Sequence, residues 1–268
     1  MKIYICFPEG KAKTLTMSYD DGKLADKKLI GIFNKYGIRG TFNLNTGLMD
    51  QPERIPREEI KDLYQGHEIA THTYTHPTIA RCPSTEIYRE IVEDRKGLEA
   101  ITGYPVRGHA YPNGSVSEQV KRIFSDCGIA YGRTVEETGG FELPAEWMNW
   151  KATCHHNHNL LALGESFLNF KKIQYLKCMY VWGHSYEFDN HNNWELMEEF
   201  CKMMGGQPDI WYATNIEIHD YMEASKLLQF AADESFVYNP TAMDLWLSVD
   251  GQIVKVAGGE KKNLCWIS

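Results

Sequence analysis

Short apolar runs alternate with longer amphipathic segments along most of this 268-residue chain. The apolar runs are typical of buried β-strands, whereas the amphipathic segments repeat their apolar residues every three to four positions, as helices do. Strand and helix alternate seven times, which favours a parallel sheet, and seven units without a nucleotide-binding loop favour a barrel. The predicted strands are 14–19, 40–44, 69–71, 106–111, 129–132, 176–182 and 209–213, and the predicted helices are 23–36, 56–65, 84–102, 117–127, 159–172, 193–204 and 215–230.

Two segments fall outside this alternation. Residues 134–157 show no clear period, and a loop of that length inside a compact domain is usually functional. After residue 230 the pattern changes to short strands at 236–238, 244–249 and 252–256, the last two joined by an Asp-Gly turn. We therefore predict a barrel domain over residues 1–230 and a small β appendage packed on it over residues 231–268.

Composition and charge narrow the class of protein. The net charge of −8 and the absence of a basic tract disfavour a nucleic-acid partner, which needs a basic surface. No stretch approaches the ~20 apolar residues of a membrane helix, and the start of the chain does not resemble a signal peptide. The seven cysteines are scattered without a CxxC pair, which predicts reduced, mostly buried thiols. We therefore expect a cytoplasmic protein with no membrane partner, and the sequence does not indicate an oligomeric state.

Candidate metal ligands follow two of the predicted strands. His72 comes directly after the strand 69–71, and His76 follows on the next loop. Asp20 and Asp21 come at the end of the strand 14–19. Two neutral imidazoles and one carboxylate can hold a divalent cation and leave positions open for water and substrate. In an acidic pair, one carboxylate can bind the metal while the other stays free as a base.

These two stretches resemble a known family. Thr16-Met17-Ser18-Tyr19-Asp20-Asp21-Gly22 resembles the first motif of the polysaccharide deacetylases, the NodB-like group called carbohydrate esterase family 4. The stretches Gly66-His67-Glu68-Ile69 and His72-Thr73-Tyr74-Thr75-His76-Pro77 resemble the second motif. The resemblance extends from about residue 14 to residue 186. It implies an α/β fold, namely the family's distorted, incomplete (β/α)7-type barrel, and a metal-dependent hydrolase of amide bonds in carbohydrates.

The resemblance also implies roles for individual residues. Asp21, His72 and His76 would bind one divalent ion, with zinc as the first choice and cobalt, nickel or manganese as alternatives. Asp20 would be the general base that takes a proton from water activated by the ion. Val181-Trp182-Gly183-His184 resembles the last family motif, in which the histidine protonates the leaving amine, so His184 is the candidate general acid.

The third family motif is only partly matched. Tyr111-Pro112-Asn113-Gly114 resembles it, and we predict that Tyr111, Pro112 and Asn113 contact substrate, with the Asn113 N–H as a donor to an oxyanion. The family places an arginine that orients the aspartate base at the position occupied here by Ala110. Arg107 or His109 could substitute for it. A plain Pro-Asn-Gly turn is the alternative interpretation.

The remaining chemistry-bearing residues are less well placed. The fourth motif is poorly matched, and Trp147 or Trp150 could supply its indole as a platform for a sugar, although a buried tryptophan is about as plausible. We include Trp150 and Trp182 among the predicted substrate-binding residues. Cys154-His155-His156-Asn157-His158 looks like a second metal cluster. Adjacent histidines in an extended segment point opposite ways, so a loop beside the first site is the favoured alternative.

The leading hypothesis is therefore a metal-dependent deacetylase that removes N-acetyl, or O-acetyl, groups from an amino sugar or oligosaccharide. A hydrolase of cyclic amides or imides within the same superfamily is one rival, supported by the missing arginine and by the expected cytoplasmic location. A catalytically silent carbohydrate-binding homologue is another. Joint retention of the base, the acid and all three ligands argues against a silent protein. The sequence does not identify the substrate.

Overall fold

The structure, a computed structural model, describes residues 2–264 and is dominated by a parallel sheet. The strands of this sheet are short and mostly buried. They are β2 (Lys13–Asp20), β3 (Gly40–Leu44), β4 (Glu68–Thr71), β5 (Gly108–Ala110), β6 (Tyr131–Glu137), β7 (Trp150–Ala152), β8 (Cys154–His155), β9 (Lys177–Gly183) and β10 (Ile210–Tyr212). They are preceded by β1 (Ile3–Cys6), which lies in another sheet.

Eight helices connect these strands or follow them. They are α1 (Asp26–Tyr36), α2 (Arg57–Leu63), α3 (Ser84–Thr102), α4 (Glu118–Asp126), α5 (Leu160–Asn169), α6 (Tyr186–His191), α7 (Trp194–Met204) and α8 (Asn215–Ser225) among the described residues. Several ends have clear local causes. Gly37 ends α1 in a left-handed conformation with a φ of 66°. Thr214 and Glu217 form a capping box that starts α8.

The sheet is nearly closed into a barrel. Its strand order is β7-β6-β5-β4-β3-β2-β9-β8, all neighbours are parallel, and β10 pairs with β2 beside this path. The stretch 150–155 pairs with β6 through β7 and with β9 through β8, so it bridges the two sides of the sheet. All eight residues of β2 are buried, as expected for a strand covered on both faces. The distorted barrel that the sequence predicted is confirmed.

Most predicted strands and helices are present, but the strands at 3–6, 229–230 and 261–263 were not predicted, several element ends differ, and three further differences affect the site or the end of the barrel. Residues 134–157 are not a single irregular loop, because they contain the end of β6 together with β7 and β8. Their short lengths, three and two residues, hide the alternation that identifies longer strands. The helix α6, which follows His184, was not predicted. The last helix ends at Ser225 rather than at residue 230.

The C-terminal part consists of short antiparallel strands, as the sequence predicted. These are β11 (Gln229–Phe230), β12 (Phe236–Tyr238), β13 (Leu245–Val249), β14 (Gln252–Val256) and β15 (Lys261–Asn263). One sheet has the order β11-β12-β15 and the other has the order β1-β13-β14. The N-terminal strand β1 is therefore part of the C-terminal layer. The domain boundary at residue 230 stays a prediction.

The structure also bears on the cysteines and on membrane helices. Six of the seven cysteines lie among the described residues as free thiols, and Cys6, Cys154, Cys178 and Cys201 are buried, whereas Cys265 lies outside the described part. Within residues 2–264, no helix combines the length and the apolar character that crossing a bilayer requires.

Candidate metal centre and active site

The carboxyl ends of three barrel strands bring the candidate residues together. Asp20 is the last residue of β2, His72 directly follows β4, and His184 directly follows β9. The pairing of β2 with β9 places Tyr19 opposite Gly183, so the ends of these strands lie side by side. The carboxyl ends of parallel strands are where barrel enzymes build their active sites. Residues that are more than a hundred positions apart in the chain thus share one rim.

Three residues at this rim could hold a metal ion. One ligand atom each from Asp21, His72 and His76 lies within 4.8 Å of the others. The His76 Nε2 atom is 4.0 Å from Asp21 Oδ1, and the two imidazole rings are 4.7 Å apart at their centroids. His72 is buried, whereas Asp21 and His76 are partly exposed. A site with three protein ligands and an exposed side is typical of catalytic rather than structural metal centres.

The hydrogen bonding of His72 fits a metal ligand. Its Nδ1 lies 2.7 Å from the Ala110 carbonyl oxygen, which can only accept, so the ring hydrogen is on Nδ1. The Nε2 lone pair is then free and faces Asp20 and the ligand group. Burial lowers the pKa of His72 to about 4 despite the nearby Asp20 and Asp21. A neutral imidazole with a fixed tautomer is the form that binds a cation.

The backbone at this site is strained. Asp21 and His76, two of the three candidate ligand residues, have left-handed φ values of 81° and 61°. Such conformations cost roughly 1–3 kcal/mol each in non-glycine residues and cluster at functional sites. Arg54 donates to the Asp21 carbonyl oxygen, and the His76 N–H lies 3.2 Å from Thr73 Oγ1. These contacts hold both ligand residues in place against the strain.

The Asp20 carboxylate lies between two histidines of the site and accepts hydrogen bonds from other side chains. Its Oδ2 is 3.8 Å from His72 Nε2 and 4.0 Å from His184 Nε2. Arg133 donates to both of its oxygens, and Asn43 Nδ2 donates to Oδ1 at 2.8 Å. Burial raises the pKa of Asp20, but the positive charge of Arg133, with smaller effects of His72 and His184, lowers it well below the usual value. Asp20 is therefore ionised at neutral pH.

Arg133 was missed in the sequence, where the motif arginine seemed to be absent. Neither suggested substitute is paired with Asp20, because Arg107 pairs with Asp220 and His109 bonds to Thr71. Arg133 comes instead from β6, the strand next to β5, on which Ala110 lies. It is fully buried and lies over the Trp182 ring at 4.6 Å. The sequence feature that could have identified Arg133 is its position as a charged residue at the end of the apolar strand 129–132.

His184 lies between two carboxylates. Its Nδ1 is 3.0 Å from Glu187 Oε1, and its Nε2 is 4.0 Å from Asp20 Oδ2. Burial lowers the pKa of His184, but the hydrogen bond to Glu187 and the charges of Asp20, Glu187 and Asp21 outweigh burial and raise it above its usual value. The protonated form is thereby favoured, which suits a proton donor.

The predicted substrate-binding residues divide into three groups. Tyr111 and Trp150 are fully buried, Tyr111 donating to the Met148 carbonyl and Trp150 packing on Tyr131 and Tyr180, and their role in substrate binding stays a prediction. Pro112 is buried as well. Trp182 is 8% exposed and borders His184. Asn113 is exposed and has a left-handed φ of 55°. The role of its N–H stays a prediction.

A cavity of about 800 Å³ opens beside the ligand residues. Asp21 and His76 line it, together with Tyr186 and Asp189 of α6 and the basic residues Lys23 and Arg54. Sites for small molecules usually have roughly 300–1,000 Å³, so a sugar-sized ligand fits here. The mixed charges and the phenol ring of Tyr186 offer both hydrogen bonds and an apolar surface.

The histidines of the segment 154–158 lie beside this site. His155 and His156 surround the Glu187 carboxylate, which also contacts His184. Their atoms form a second group that could hold a metal ion by distance alone. His158 is exposed and pairs with Glu137. His155 and His156 thus lie next to the first site, and their distances to Glu187 leave the second metal cluster open as a prediction. The position of Glu187 among them was not predicted.

Comparison with known proteins finds similarity over the first half of the chain. The family model described as polysaccharide deacetylase matches residues 8–132. Peptidoglycan-N-acetylglucosamine deacetylase PgdA of Listeria monocytogenes is 27% identical over 116 residues, which are 41% of this chain and 24% of PgdA. The chain thus spans about a quarter of that relative.

Solved structures of the family share the fold. A crystal structure from Mycobacterium smegmatis that is assigned to the polysaccharide deacetylases matches with a TM-score of 0.65 and 17% identity, over 83% of this chain and 94% of that one. BA3943 from Bacillus anthracis, described as a CE4 family pseudoenzyme, matches with a TM-score of 0.52 and 18% identity, over 81% of this chain and 68% of that one. At these identities the likeness concerns the fold. The motifs and the match over residues 8–132 make this part of the chain similar to the polysaccharide deacetylases, the NodB-like carbohydrate esterases of family 4, and the barrel agrees with that similarity.

Proposed function

We propose that this protein is a metal-dependent deacetylase that removes N-acetyl groups from an amino sugar or an oligosaccharide. The observation behind the proposal is the grouping of Asp21, His72 and His76 at the rim that also holds Asp20 and His184, beside a sugar-sized cavity. The family match over residues 8–132 and the name of PgdA support amide hydrolysis on N-acetylglucosamine units. Removal of O-acetyl groups is the closest alternative.

The ligand set suits a divalent ion, with zinc as the first choice, since two imidazoles and one carboxylate are common ligands of catalytic zinc. When bound, such an ion supplies Lewis acidity that acidifies water and polarises an acetyl carbonyl. Asp20 is a weak base because Arg133 lowers its pKa, and it accepts a proton only from water of increased acidity. Arg133 and Asn43 hold the carboxylate in one orientation for that transfer.

His184 supplies the proton that the reaction must return. An amide anion is a very poor leaving group, so the nitrogen of the sugar has to be protonated as its bond to the acetyl carbon breaks. The Nε2 atom of His184 faces the space next to Asp20, and its raised pKa favours the protonated form. Asp20 and His184 are thus a base and an acid whose environments drive their pKa values apart.

The rival functions have less support. The cyclic amide hydrolase hypothesis drew on the missing arginine, and Arg133 now contacts Asp20 from the neighbouring strand. The silent homologue has a precedent in the fold of BA3943, described as a pseudoenzyme. Against it, Asp20, Asp21, His72, His76 and His184 all lie within one site. Turnover therefore has to be measured directly.

The proposal is tested by metal analysis and by acetate release. We expect the purified protein to bind one divalent ion per chain and to release acetate from N-acetylglucosamine oligomers in a panel of N-acetylated sugars. His76→Ala should lower the bound metal sharply, because the ion loses one of three protein ligands. His219→Ala is a matched control, since His219 pairs with Asp220 on α8, and it should retain the ion.

Two results would contradict the proposal. Full metal occupancy in His76→Ala would exclude this ligand set. A metal-loaded parent that releases no acetate from any member of the panel would favour the cyclic amide hydrolase or the silent homologue, and cyclic imides should then be assayed with the same preparation.

A further inference from the structure

The Glu187 carboxylate is surrounded by three imidazoles next to the proposed acid. Its Oε2 atom is 3.0 Å from His155 Nε2 and 3.1 Å from His156 Nε2, and its Oε1 atom is 3.0 Å from His184 Nδ1. Asn157 Nδ2 lies 3.3 Å from Oε2 as well. Two interpretations are possible: a second metal site, or a hydrogen-bonded chain that ends on His184. Hydrogen positions on the rings distinguish between the two.

The backbone N–H of Asn157 decides the tautomer of His155. This N–H donates to His155 Nδ1 at 3.2 Å, so Nδ1 has a lone pair and the ring hydrogen is on Nε2. That hydrogen faces Glu187 Oε2. A cation bound at Nε2 would require the hydrogen on Nδ1, directly against the Asn157 N–H. The opposite holds at His72, whose Nδ1 donates to the Ala110 carbonyl and whose Nε2 is free. The first cluster therefore fits an ion and the second fits a hydrogen-bonded chain.

The hydrogen bond to Glu187 likewise fixes which nitrogen of His184 has the ring hydrogen, and with it the orientation of the ring. Glu187 is ionised: burial raises its pKa, but the three imidazoles around it outweigh burial and lower it. As a carboxylate it can only accept, so His184 must donate from Nδ1. His184 Nε2 is then turned toward Asp20 and the space where the reaction occurs. The second oxygen is held by His155, which keeps Glu187 from turning away.

We infer that Glu187 is the positioning residue of His184, and that His155 anchors Glu187, so that the chain His155–Glu187–His184 presents the Nε2 of His184 to the substrate. The inference rests on the proposed function for the role of His184, but the orientation itself is a property of the structure. A histidine has a fixed tautomer and an increased basicity when a carboxylate accepts a hydrogen bond from the ring nitrogen that does not face the substrate.

His156 completes the surroundings of Glu187 without belonging to the chain. Its ring is fully buried between Tyr19 and Phe188, with centroid distances of 5.7 and 4.1 Å. Burial lowers its pKa to about 4, so it is neutral. The other titratable groups around His184 are Asp20 of β2, the following Asp21, His155 of β8 and Tyr186 of α6. Glu187 is the one that hydrogen-bonds to its Nδ1.

The first experiment is independent of activity. Long-range ¹H–¹⁵N correlation spectra of the metal-loaded protein report the tautomer of each histidine, and single substitutions assign the signals. We expect His155 with its hydrogen on Nε2 and neutral His184 with its hydrogen on Nδ1. In Glu187→Gln, His184 should lose the preference for that tautomer. His158→Ala is the matched control, because His158 pairs with Glu137, and it should leave the His184 signals unchanged.

The second experiment follows the rate against pH. The acid must be protonated, so the rate falls as pH rises through the pKa of His184. Glu187→Gln removes the negative charge that raises this pKa, and the basic limb of kcat should shift to lower pH with a loss of roughly 10- to 100-fold. His155→Gln should shift the limb in the same direction by less. Metal content should stay at one ion per chain in both variants.

Three outcomes would overturn the inference: a His184 hydrogen on Nε2 in the parent, an unmoved basic limb in Glu187→Gln, or a second bound ion that is lost on substitution of His155 or Glu187. Failure of the proposed function is distinguishable from these. A protein without deacetylase activity still gives the tautomers by spectroscopy, whereas an active protein with an unmoved limb removes only the role of Glu187.

Discussion

At the scale of single residues, the site depends on how each polar group is satisfied. His72 donates to the Ala110 carbonyl and keeps Nε2 free, Asp20 accepts from Arg133 and Asn43, and His184 donates to Glu187. Each of these bonds determines a charge or a tautomer. His72, the candidate metal ligand, and His184, the candidate acid, thus differ in the group that accepts a hydrogen bond from Nδ1. This group is a neutral carbonyl for His72 and a carboxylate for His184.

Asp20→Asn separates the base from the metal centre. The amide keeps the shape of the carboxylate but cannot accept a proton from water, so turnover should fall by ~10²-fold or more. Metal content should stay unchanged, because Asp20 is not among the three ligand residues. Acetate release and metal analysis on the same preparation measure both effects. Near-normal turnover would place the base elsewhere.

His184→Ala separates amide from ester hydrolysis. The leaving nitrogen of an amide must be protonated, whereas the alkoxide of an O-acetyl ester leaves more easily without help. The substitution should therefore reduce the amide rate severely and the ester rate less, with the metal retained. The ratio of the two rates in the variant and in the parent is the measurement. An unchanged ratio would mean that His184 binds substrate or only packs.

At the scale of elements, the barrel allows a residue of one strand to take the role expected of a residue on another strand. Arg133 of β6 contacts Asp20 of β2, although three strands separate them along the sheet. This is possible because the interior of a closed sheet brings strands on opposite sides together. The bridging stretch formed by β7 and β8 has a similar effect, since it places His155 next to β9 and within reach of Glu187.

The Arg133–Asp20 pair should be strongly coupled in stability. Both groups are fully buried, so Arg133→Ala leaves a buried carboxylate without its counter-charge and should cost about 3–5 kcal/mol of the free energy of unfolding. The same substitution in the Asp20→Asn background should cost less, because a neutral amide needs no counter-charge. Urea unfolding of the parent, both single variants and the double variant measures the coupling. Additive losses would show that the pair is not energetically linked.

At the scale of the whole molecule, the N-terminal strand β1 is joined to the C-terminal strands. The strand β1 pairs with β13, and the Tyr221 hydroxyl of α8 donates to the Cys6 carbonyl at 2.6 Å and accepts from the Trp246 N–H at 3.0 Å. Phe7, Tyr221 and Leu245 form a small apolar cluster at the same place. The C-terminal strands are thereby tied to the barrel through an N-terminal strand and the last barrel helix.

Tyr221→Phe tests whether this tie makes the molecule unfold as one unit. Loss of the hydroxyl leaves the Cys6 carbonyl and the Trp246 N–H without their partner, which should cost about 1–3 kcal/mol. If the parts are coupled, the variant should show one unfolding transition at a lower midpoint, seen by both circular dichroism and calorimetry. A separate early transition with an unchanged main midpoint would instead indicate that the C-terminal strands fold independently, as the predicted boundary at residue 230 implies.

The sequence by itself determined most of the elements and the candidate ligand residues. Seven strands, seven helices and the placement of Asp20, Asp21, His72, His76 and His184 at strand ends could be read from local patterns, because burial on both faces leaves apolar runs and a helix leaves its own period. Carboxyl ends of parallel strands lie on one rim whatever the details of the barrel, so the grouping of these residues followed from topology alone.

Only the tertiary structure decided which other residues reach the site. Arg133 and Glu187 contact Asp20 and His184 from elements whose boundaries the sequence left open, the end of β6 and the unpredicted α6. Trp150 and Tyr111 are buried, because the closed barrel packs other residues around both side chains. Contacts between residues about a hundred positions apart depend on strand register and closure, which no local pattern encodes.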